Sequence, residues 1–193
     1  MSNLKKIYID LETTGVDKDA NGIHQIAGIV EMNDQQMEAF DFKVSPFPSD
    51  VINDEALKTS GVDREKIKQY QPPGLVFAKF KKLLEQYVDK FNPQDKFQFI
   101  GYNCMAFDDP FLRAWFKKNN ENYYGSYFWW PCIDVATMAA LHFMRVRGRM
   151  KNFKLMTVAK ALGIDVDESQ AHDGLYDIGI TKQIYKFLDK NNI

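Results

Sequence analysis

Asp10, Glu12, Asp108 and Asp177, with His172 five residues before the last of them, are the side chains in this sequence best suited to chemistry. Asp10 and Glu12 close the run Lys5-Lys6-Ile7-Tyr8-Ile9-Asp10 and are followed at once by Thr13-Thr14-Gly15. A strand that stops in two acids and a turn delivers those acids to the carboxyl edge of a sheet, where α/β folds bind ligands. As residues i and i+2, both side chains leave the strand on the same side. Four carboxylates gathered at one edge repel one another. Divalent cations such as Mg²⁺ or Mn²⁺, which prefer oxygen ligands, relieve that repulsion. Two such ions beside a base form the set needed to hydrolyse a phosphodiester.

Each motif alone is weak. About one Asp-x-Glu is expected by chance in a chain of this composition, and Asp63-Arg64-Glu65 is such a match at the start of a surface helix. Asp10 and Glu12 differ because they exit a buried strand, although a polar strand end near a turn would look the same. In Tyr102-Asn103-Cys104-Met105-Ala106-Phe107-Asp108-Asp109-Pro110-Phe111-Leu112 two adjacent aspartates compete for one role. Pro110 suits a first helical position and Asp109 the N-cap before it. That leaves Asp108 as the candidate ligand and Phe107 as a stacking surface. The alternative is that both acids serve the helix N-terminus and its dipole. Ala171-His172-Asp173-Gly174-Leu175-Tyr176-Asp177 reads as a loop entering a helix, with Asp173 as N-cap and Asp177 about one turn in. The other histidines, His24 and His142, read as satisfied structural residues. His142 lies in the apolar helical pattern from Met138 to Met144, where full or partial burial is expected.

The elements that must position these groups begin with strands and then alternate strands with helices. After the first strand, a second fits Ile23 to Glu31 and a third Met37 to Val44, joined at Asn33-Asp34-Gln35. Short helical patterns over Asp54 to Thr59 and Asp63 to Gln69 are broken at Gln71-Pro72-Pro73-Gly74. Leu75, Phe77, Phe80, Leu83, Leu84, Tyr87 and Val88 then recur at helical spacing. A fourth strand fits Phe97 to Ile100, a helix Pro110 to Lys117, and a fifth strand Trp130 to Ile133, with Asp134 opening the helix after it. The last helices fit Lys154 to Leu162 and Gly174 to Lys190. The pattern predicts an α/β fold, a mixed sheet with helices on its faces. Tyr123 to Trp130 packs six aromatics into eight residues, most of them expected in the core and one reaching a substrate. Arg145-Val146-Arg147-Gly148-Arg149-Met150-Lys151 either holds the phosphates of an incoming strand or is a solvated linker.

With 193 residues, 45% of them hydrophobic, the chain suits a single domain with one sizeable core. Two cysteines, Cys104 and Cys132, make no disulfide framework and fit a reducing cytoplasm. The N-terminal residues reach charge and the first strand too soon for a signal peptide, and no apolar run approaches the roughly 20 residues of a membrane span. A net charge of −1 argues against a generic basic nucleic-acid binder. It counts little against a nuclease whose acids are masked by metal.

Taken together, the motifs resemble those of the DnaQ-like (DEDDh) 3′–5′ exonucleases, which have an RNase H-like fold. Asp10, Glu12, Asp108, His172 and Asp177 match that family's signature in order. Asp10-Leu11-Glu12-Thr13-Thr14-Gly15 looks like its opening turn, and Ala56 to Val62 like the segment after its third strand. Asn103 with Phe107-Asp108 and Phe111-Leu112 looks like its central motif, and Lys154-Leu155 to Leu162-Gly163-Ile164 like the stretch before its last. The resemblance covers nearly the whole chain. Tyr102 stands where the family often has His, Ser60 where some proofreading members carry His, and Gly174 where Ala is frequent. None of these departures removes an acid or the base.

The resemblance implies a five-stranded mixed sheet with the second strand antiparallel, two divalent cations and release of mononucleotides from a 3′ end. One cation would be held chiefly by Asp10, Glu12 and Asp177. The other would be held mainly by Asp10, with Asp108 ordering its water shell or binding through it. His172 would take a proton from the attacking water. Leu11 would wedge at the terminal base and Thr13 meet the terminal 3′ hydroxyl, largely through its backbone. Phe107 would stack on the end nucleotide and Asn103 support the strand, with little sequence preference. The expected partner is single-stranded nucleic acid with a free 3′ end, DNA favoured over RNA. The enzyme would stand alone or serve a DNA polymerase as a proofreading subunit. An exoribonuclease acting on short RNA is the main alternative. A catalytically dead binding module is the remoter one, since such modules typically lose an acid or the histidine and all five are present here.

Overall fold

A computed structural model describes residues 4–170 and 173–191. Three strands open the fold: β1 (Lys5–Thr13), β2 (Ile23–Met32) and β3 (Gln35–Lys43). Asn33 and Asp34 join the last two with φ of 49° and 66°. A two-residue hairpin turn with both central residues at positive φ favours Asn and Asp, and it matches the twist of the strands it joins. Three helices follow, α1 (Asp54–Thr59), α2 (Arg64–Lys68) and α3 (Pro73–Tyr87). The Pro72-Pro73 break is therefore also a start: Pro73 occupies the first turn of α3, where a missing N–H costs nothing. Next come β4 (Gln98–Gly101), α4 (Asp108–Lys118), β5 (Ile133–Asp134), α5 (Val135–His142), α6 (Leu155–Ala161) and α7 (Gly174–Asn191).

The sheet has the order β3-β2-β1-β4-β5. β2 runs antiparallel to both its neighbours, while β4 is parallel to β1 and to β5. The expected five-stranded mixed sheet with an antiparallel second strand is what forms. Apolar layers cover both faces. Ile7, Ile9 and Leu11 join Phe80, Leu84, Trp115 and Phe116 on the side of α3 and α4. Tyr8, Ala27 and Ile29 join Val135, Val158, Ile178 and Ile184 on the side of α5, α6 and α7. Burial on both faces explains why nine of the ten residues of β2 are buried. Cys104 and Cys132 are both buried and unbridged. No helix among the described residues is long and apolar enough to cross a membrane.

Several boundaries differ from the sequence reading for a tertiary reason. β1 does not stop at its acids but continues to Thr13, because β2 pairs with it as far as Ile23. α4 begins at Asp108, two residues early, so Asp109 lies inside its first turn and is not the N-cap. Of the aromatics at 123–130, Tyr124, Tyr127 and Phe128 are core, while Tyr123, Trp129 and Trp130 are exposed. His142 is exposed, its ring edge against Phe143 and Phe187, which corrects the expectation of burial. His24 is buried, yet neither ring nitrogen has a hydrogen-bond partner among the described residues. Burial, then Lys43, pushes its pKa down to about 4, so it is a neutral core residue and not a satisfied one.

Gly28 marks the tightest approach in the sheet. A Cβ there would lie 2.1 Å from the Phe40 ring and 2.7 Å from the Tyr8 carbonyl oxygen. Overpacking of this kind costs about 1–3 kcal/mol. Gly28→Ala should lower the melting temperature by several degrees in a thermal unfolding scan, and an unchanged midpoint would show that the two strands are not held this closely.

Candidate active site

The site forms where β1 outruns its parallel neighbour. β4 pairs with β1 only at Lys6, Ile7 and Tyr8, so the stretch from Ile9 onward projects past the end of β4. Alternation from Tyr8 puts Asp10 and Glu12 on the face covered by α7 and Leu11 on the other. The loop after β4 fills the gap. Gly101 lets it turn close, since a Cβ there would meet Cys104 Cβ at 2.6 Å and the Ile9 carbonyl at 3.1 Å. Asn103 follows with φ of 59°. Asp134 braces this loop by accepting from the N–H groups of Asn103 (3.1 Å) and Met105 (3.3 Å), while it caps α5 through Ala136 and Thr137.

That loop delivers Asp108 to the N-terminus of α4, where its carboxylate accepts from the Leu11 N–H at 3.0 Å. The neighbouring acid faces elsewhere. Asp109 accepts from Tyr124 Oη and from Arg113 Nε, each at 2.7 Å. Asp109's role is this buried pair of contacts and not the cap expected of it. Asp177 sits in the first turn of α7. Asp173 caps that helix, accepting from the Tyr176 N–H at 3.0 Å, while its carbonyl takes the Asp177 N–H at 2.9 Å. Gly174 permits the approach, because a Cβ would lie 2.9 Å from Ala27 Cβ and 3.2 Å from Gln25 Nε2. Ser60, at the end of α1, donates its hydroxyl to Glu12 Oε2.

Electrostatics separate these acids from a structural one. Glu31, fully buried, has Lys182 Nζ at 2.9 Å, Lys186 Nζ at 3.1 Å and Lys6 Nζ at 3.3 Å. Burial alone would raise its pKa, yet the lysines bring it below the ordinary value. Asp10 has the opposite environment. Burial, then Asp108, Glu12 and Asp177, push its carboxyl well above the carboxylate range. Asp108 is pushed up to about 7, by burial first, against the lowering effect of the Leu11 N–H. Among the described residues no three acidic, histidine or cysteine groups are already drawn into an ion-holding cluster. The donor set still suits a hard divalent cation: carboxylate oxygens around Asp10, with repulsion that positive charge would relieve.

His172 lies outside the described residues. Of the residues expected to touch substrate, Asn103 is exposed and Phe107 half-buried, its ring 4.9 Å from that of Phe111. Thr13 is buried with its hydroxyl donated to the Gly15 carbonyl at 2.6 Å. Leu11 is only 5% exposed and packs in the core, so its N–H, more than its side chain, faces the acids. The sequence reading missed the bracing role of Asp134 and the grip of Ser60 on Glu12. Asp134 was visible only as a helix opener, and Ser60 only as a departure from a family pattern.

A family model described as an exonuclease, of the RNase T type, matches residues 7–185. The chain belongs to this exonuclease family. It is a hydrolase, a 3′–5′ exonuclease with the RNase H-like fold, in a family that uses divalent metals. It is similar to ribonuclease T of Buchnera aphidicola, 26% identical over 191 residues covering 93% of this chain and 81% of that protein. It is also similar to the PolC-type DNA polymerase III of Ureaplasma parvum, 20% identical over its whole length and 12% of the polymerase. Among solved structures, the zinc-bound complex of Escherichia coli exonuclease I with single-stranded DNA superposes with a TM-score of 0.78 at 22% identity. That match covers 98% of this chain and 41% of exonuclease I.

The raised pKa of Asp108 has a stability consequence. Its folded value near 7 exceeds the unfolded carboxylate value of about 3.9. The group therefore favours folding when protonated, and this contribution is lost as pH rises from about 4 through about 7. Asp108→Asn keeps an oxygen for the Leu11 N–H and removes the charge. In metal-free buffer the variant should melt above wild type at about pH 8, with the gap closing toward about pH 4. A gap that does not change with pH would contradict the buried, unneutralised carboxylate described above. Asp109→Ala should instead lower the melting temperature at every pH, because it strands the Tyr124 hydroxyl and the Arg113 guanidinium, while activity is largely kept.

Proposed function

We propose that Asp10, Glu12, Asp108, Asp177 and His172 carry out stepwise removal of nucleoside monophosphates from the 3′ end of single-stranded nucleic acid, DNA in preference to RNA. The observation that carries this reading is the convergence of Asp108, Glu12 and Asp177 on the buried Asp10, whose carboxyl they and burial push well above the carboxylate range. Divalent cations would relieve the repulsion among these carboxylates. Two divalent cations, Mg²⁺ or Mn²⁺, would be held by these residues, one chiefly by Asp10, Glu12 and Asp177 and the other mainly by Asp10, with Asp108 acting on its water shell. When bound they supply the positive charge that activates the attacking water and stabilises the leaving 3′ oxygen.

The protein's own groups do the rest. Ser60 holds one oxygen of Glu12, and the Leu11 N–H holds one of Asp108, so both acids present their remaining oxygens in fixed directions. His172 accepts the proton of the attacking water, a role suited to an imidazole near neutral pH. Phe107 offers a ring face to the terminal base. Asn103, held at positive φ by the brace from Asp134, presents a carboxamide beside the strand. Leu11 and the Thr13 backbone form the floor of the terminal nucleotide site.

The bound DNA of the exonuclease I structure supports the DNA reading. An RNA substrate is the second reading, favoured by relatives called ribonuclease T that match over most of their length. The PolC-type relative is the observation behind a polymerase as partner. A panel of labelled single-stranded DNA, duplex DNA and short RNA separates the substrates. A 3′ label should leave first as mononucleotide and a 5′ label should shrink as a ladder, whereas cutting of a closed single-stranded circle would refute an exonuclease site. Activity should vanish in excess chelator and return with Mg²⁺ or Mn²⁺. His172→Ala should lower turnover on the order of 10²–10⁴-fold with metal affinity nearly unchanged. Wild-type turnover in that variant at neutral pH would remove His172 from the mechanism.

A further inference from the structure

Gly174 opens α7 directly over the acids, and β2 makes the floor beneath it. A Cβ at Gly174 would lie 2.9 Å from Ala27 Cβ, 3.2 Å from Gln25 Nε2 and 3.8 Å from Asp10 Oδ2. Strand pairing explains why these residues meet. Ala27 stands opposite Asp10 and Gln25 opposite Glu12, so the two β2 side chains share the α7 face with the two acids of β1. On the other flank Ala27 stands opposite Asp41 of β3, and Gln25 opposite Lys43. The Gln25 side chain is buried and anchored. Its Nε2 donates to Asp41 Oδ1 at 3.0 Å, along the diagonal of that pairing, and Lys43 Nζ stands 3.4 Å from Asp41 Oδ2.

We infer that Gln25 is a positioning residue for Asp177: anchored by Asp41, its carboxamide forms with Ala27 the seat of the first turn of α7, and that seat fixes how far Asp177 stands from Asp10. The inference rests on the metal-dependent exonuclease reading above. Asp177 follows Gly174 by three residues, which puts the two at neighbouring positions on one face of the helix. Whatever sets the height of Gly174 over β2 therefore sets the reach of Asp177, whose charge acts on Asp10. Glycine lets the helix backbone settle onto the floor, and the Gln25 carboxamide stops it from coming closer. Asp41 acts at one remove, from the outer strand β3, with β2 between it and the acids of β1. The later turns of α7 are gripped at Glu31 by Lys182 and Lys186, and this seat does the corresponding work at the first turn. Groups that share a cation must be held within about 0.5 Å of their working geometry. A seat that gives way is therefore felt first as lost metal affinity.

The test is direct Mn²⁺ binding to the substrate-free protein, read as free Mn²⁺ by electron paramagnetic resonance, with thermal melting as the check on folding. Gln25→Ala should weaken Mn²⁺ binding by about tenfold, the order seen when groups that support metal ligands are removed. Asp41→Ala should weaken it in the same way, and should add nothing in the Gln25→Ala background, because both act through one contact. Asp41→Asn keeps an oxygen to accept from Gln25 Nε2 and should bind Mn²⁺ as wild type does. In digestion of single-stranded DNA, the Mn²⁺ concentration for half-maximal rate should rise by the same factor in the two alanine variants, with turnover at saturating Mn²⁺ changed less. Wild-type affinity in Gln25→Ala or in Asp41→Ala would overturn the inference while leaving the exonuclease reading intact. So would additive losses in the double variant, or equal losses in Asp41→Ala and Asp41→Asn, the mark of a remote charge effect. A wild-type protein that takes up no Mn²⁺ would instead sink the exonuclease reading itself, and this inference with it.

Discussion

The hydrogen bond from the Leu11 N–H to the Asp108 carboxylate closes the gap that opens where β1 runs past β4. The site depends on that closure. Without it, the acids of β1 would stand on a free strand end, and Asp108 would be one more acid at a helix N-terminus. The contact is possible because three neighbours hold the connecting loop. Gly101 allows the turn, Asn103 accepts a left-handed backbone, and Asp134 binds two of the loop's amides. A mobile loop in this place would leave the acids at variable separations, and a cation site tolerates little such variation.

Glu31 and Asp10 show how the same fold gives two buried carboxylates opposite electrostatic environments. Glu31 is fully buried but meets three lysines, two of them from α7, and this network ties the later turns of that helix to β1 and β2. The first turn of the helix carries Asp177 to Asp10. One end of α7 is therefore fastened by protein cations, and the other brings Asp177 among the acids around Asp10. Burying charge without a partner is costly. Around Asp10 that cost shows as a carboxyl pushed well above the carboxylate range, by burial first and then by Asp108, Glu12 and Asp177.

Much of this was legible in the sequence, for a physical reason in each case. The periodicities of two and 3.6 residues located the strands and the longer helices, since apolar spacing reports which face is buried. Proline and glycine marked the turns. The pair Asp10/Glu12 and the spacing of His172 and Asp177 identified the acid cluster, because the chemistry demands those residue types on a strand end and an early helical turn. The division of Asp108 from Asp109 was also legible as two acids with unequal roles. Its cause was not, since Tyr124 and Arg113 reach Asp109 only in the folded chain.

The sequence by itself thus determined the element types, the antiparallel second strand through its family resemblance, and the identity of the acids. Only the tertiary structure decided how far β1 extends, since strand length is set by the partner β2 and not by the strand's own residues. It alone decided that His142 faces outward and that His24 is buried with no hydrogen-bond partner for its ring nitrogens among the described residues. It also turned Ser60, a departure from a family pattern, and Asp134, a helix opener, into the groups that hold Glu12 and the Asn103 loop. These are contacts across 48 and 31 residues of chain. Local pattern carries no information at such separations, because the pairing is fixed by where the sheet brings the segments together.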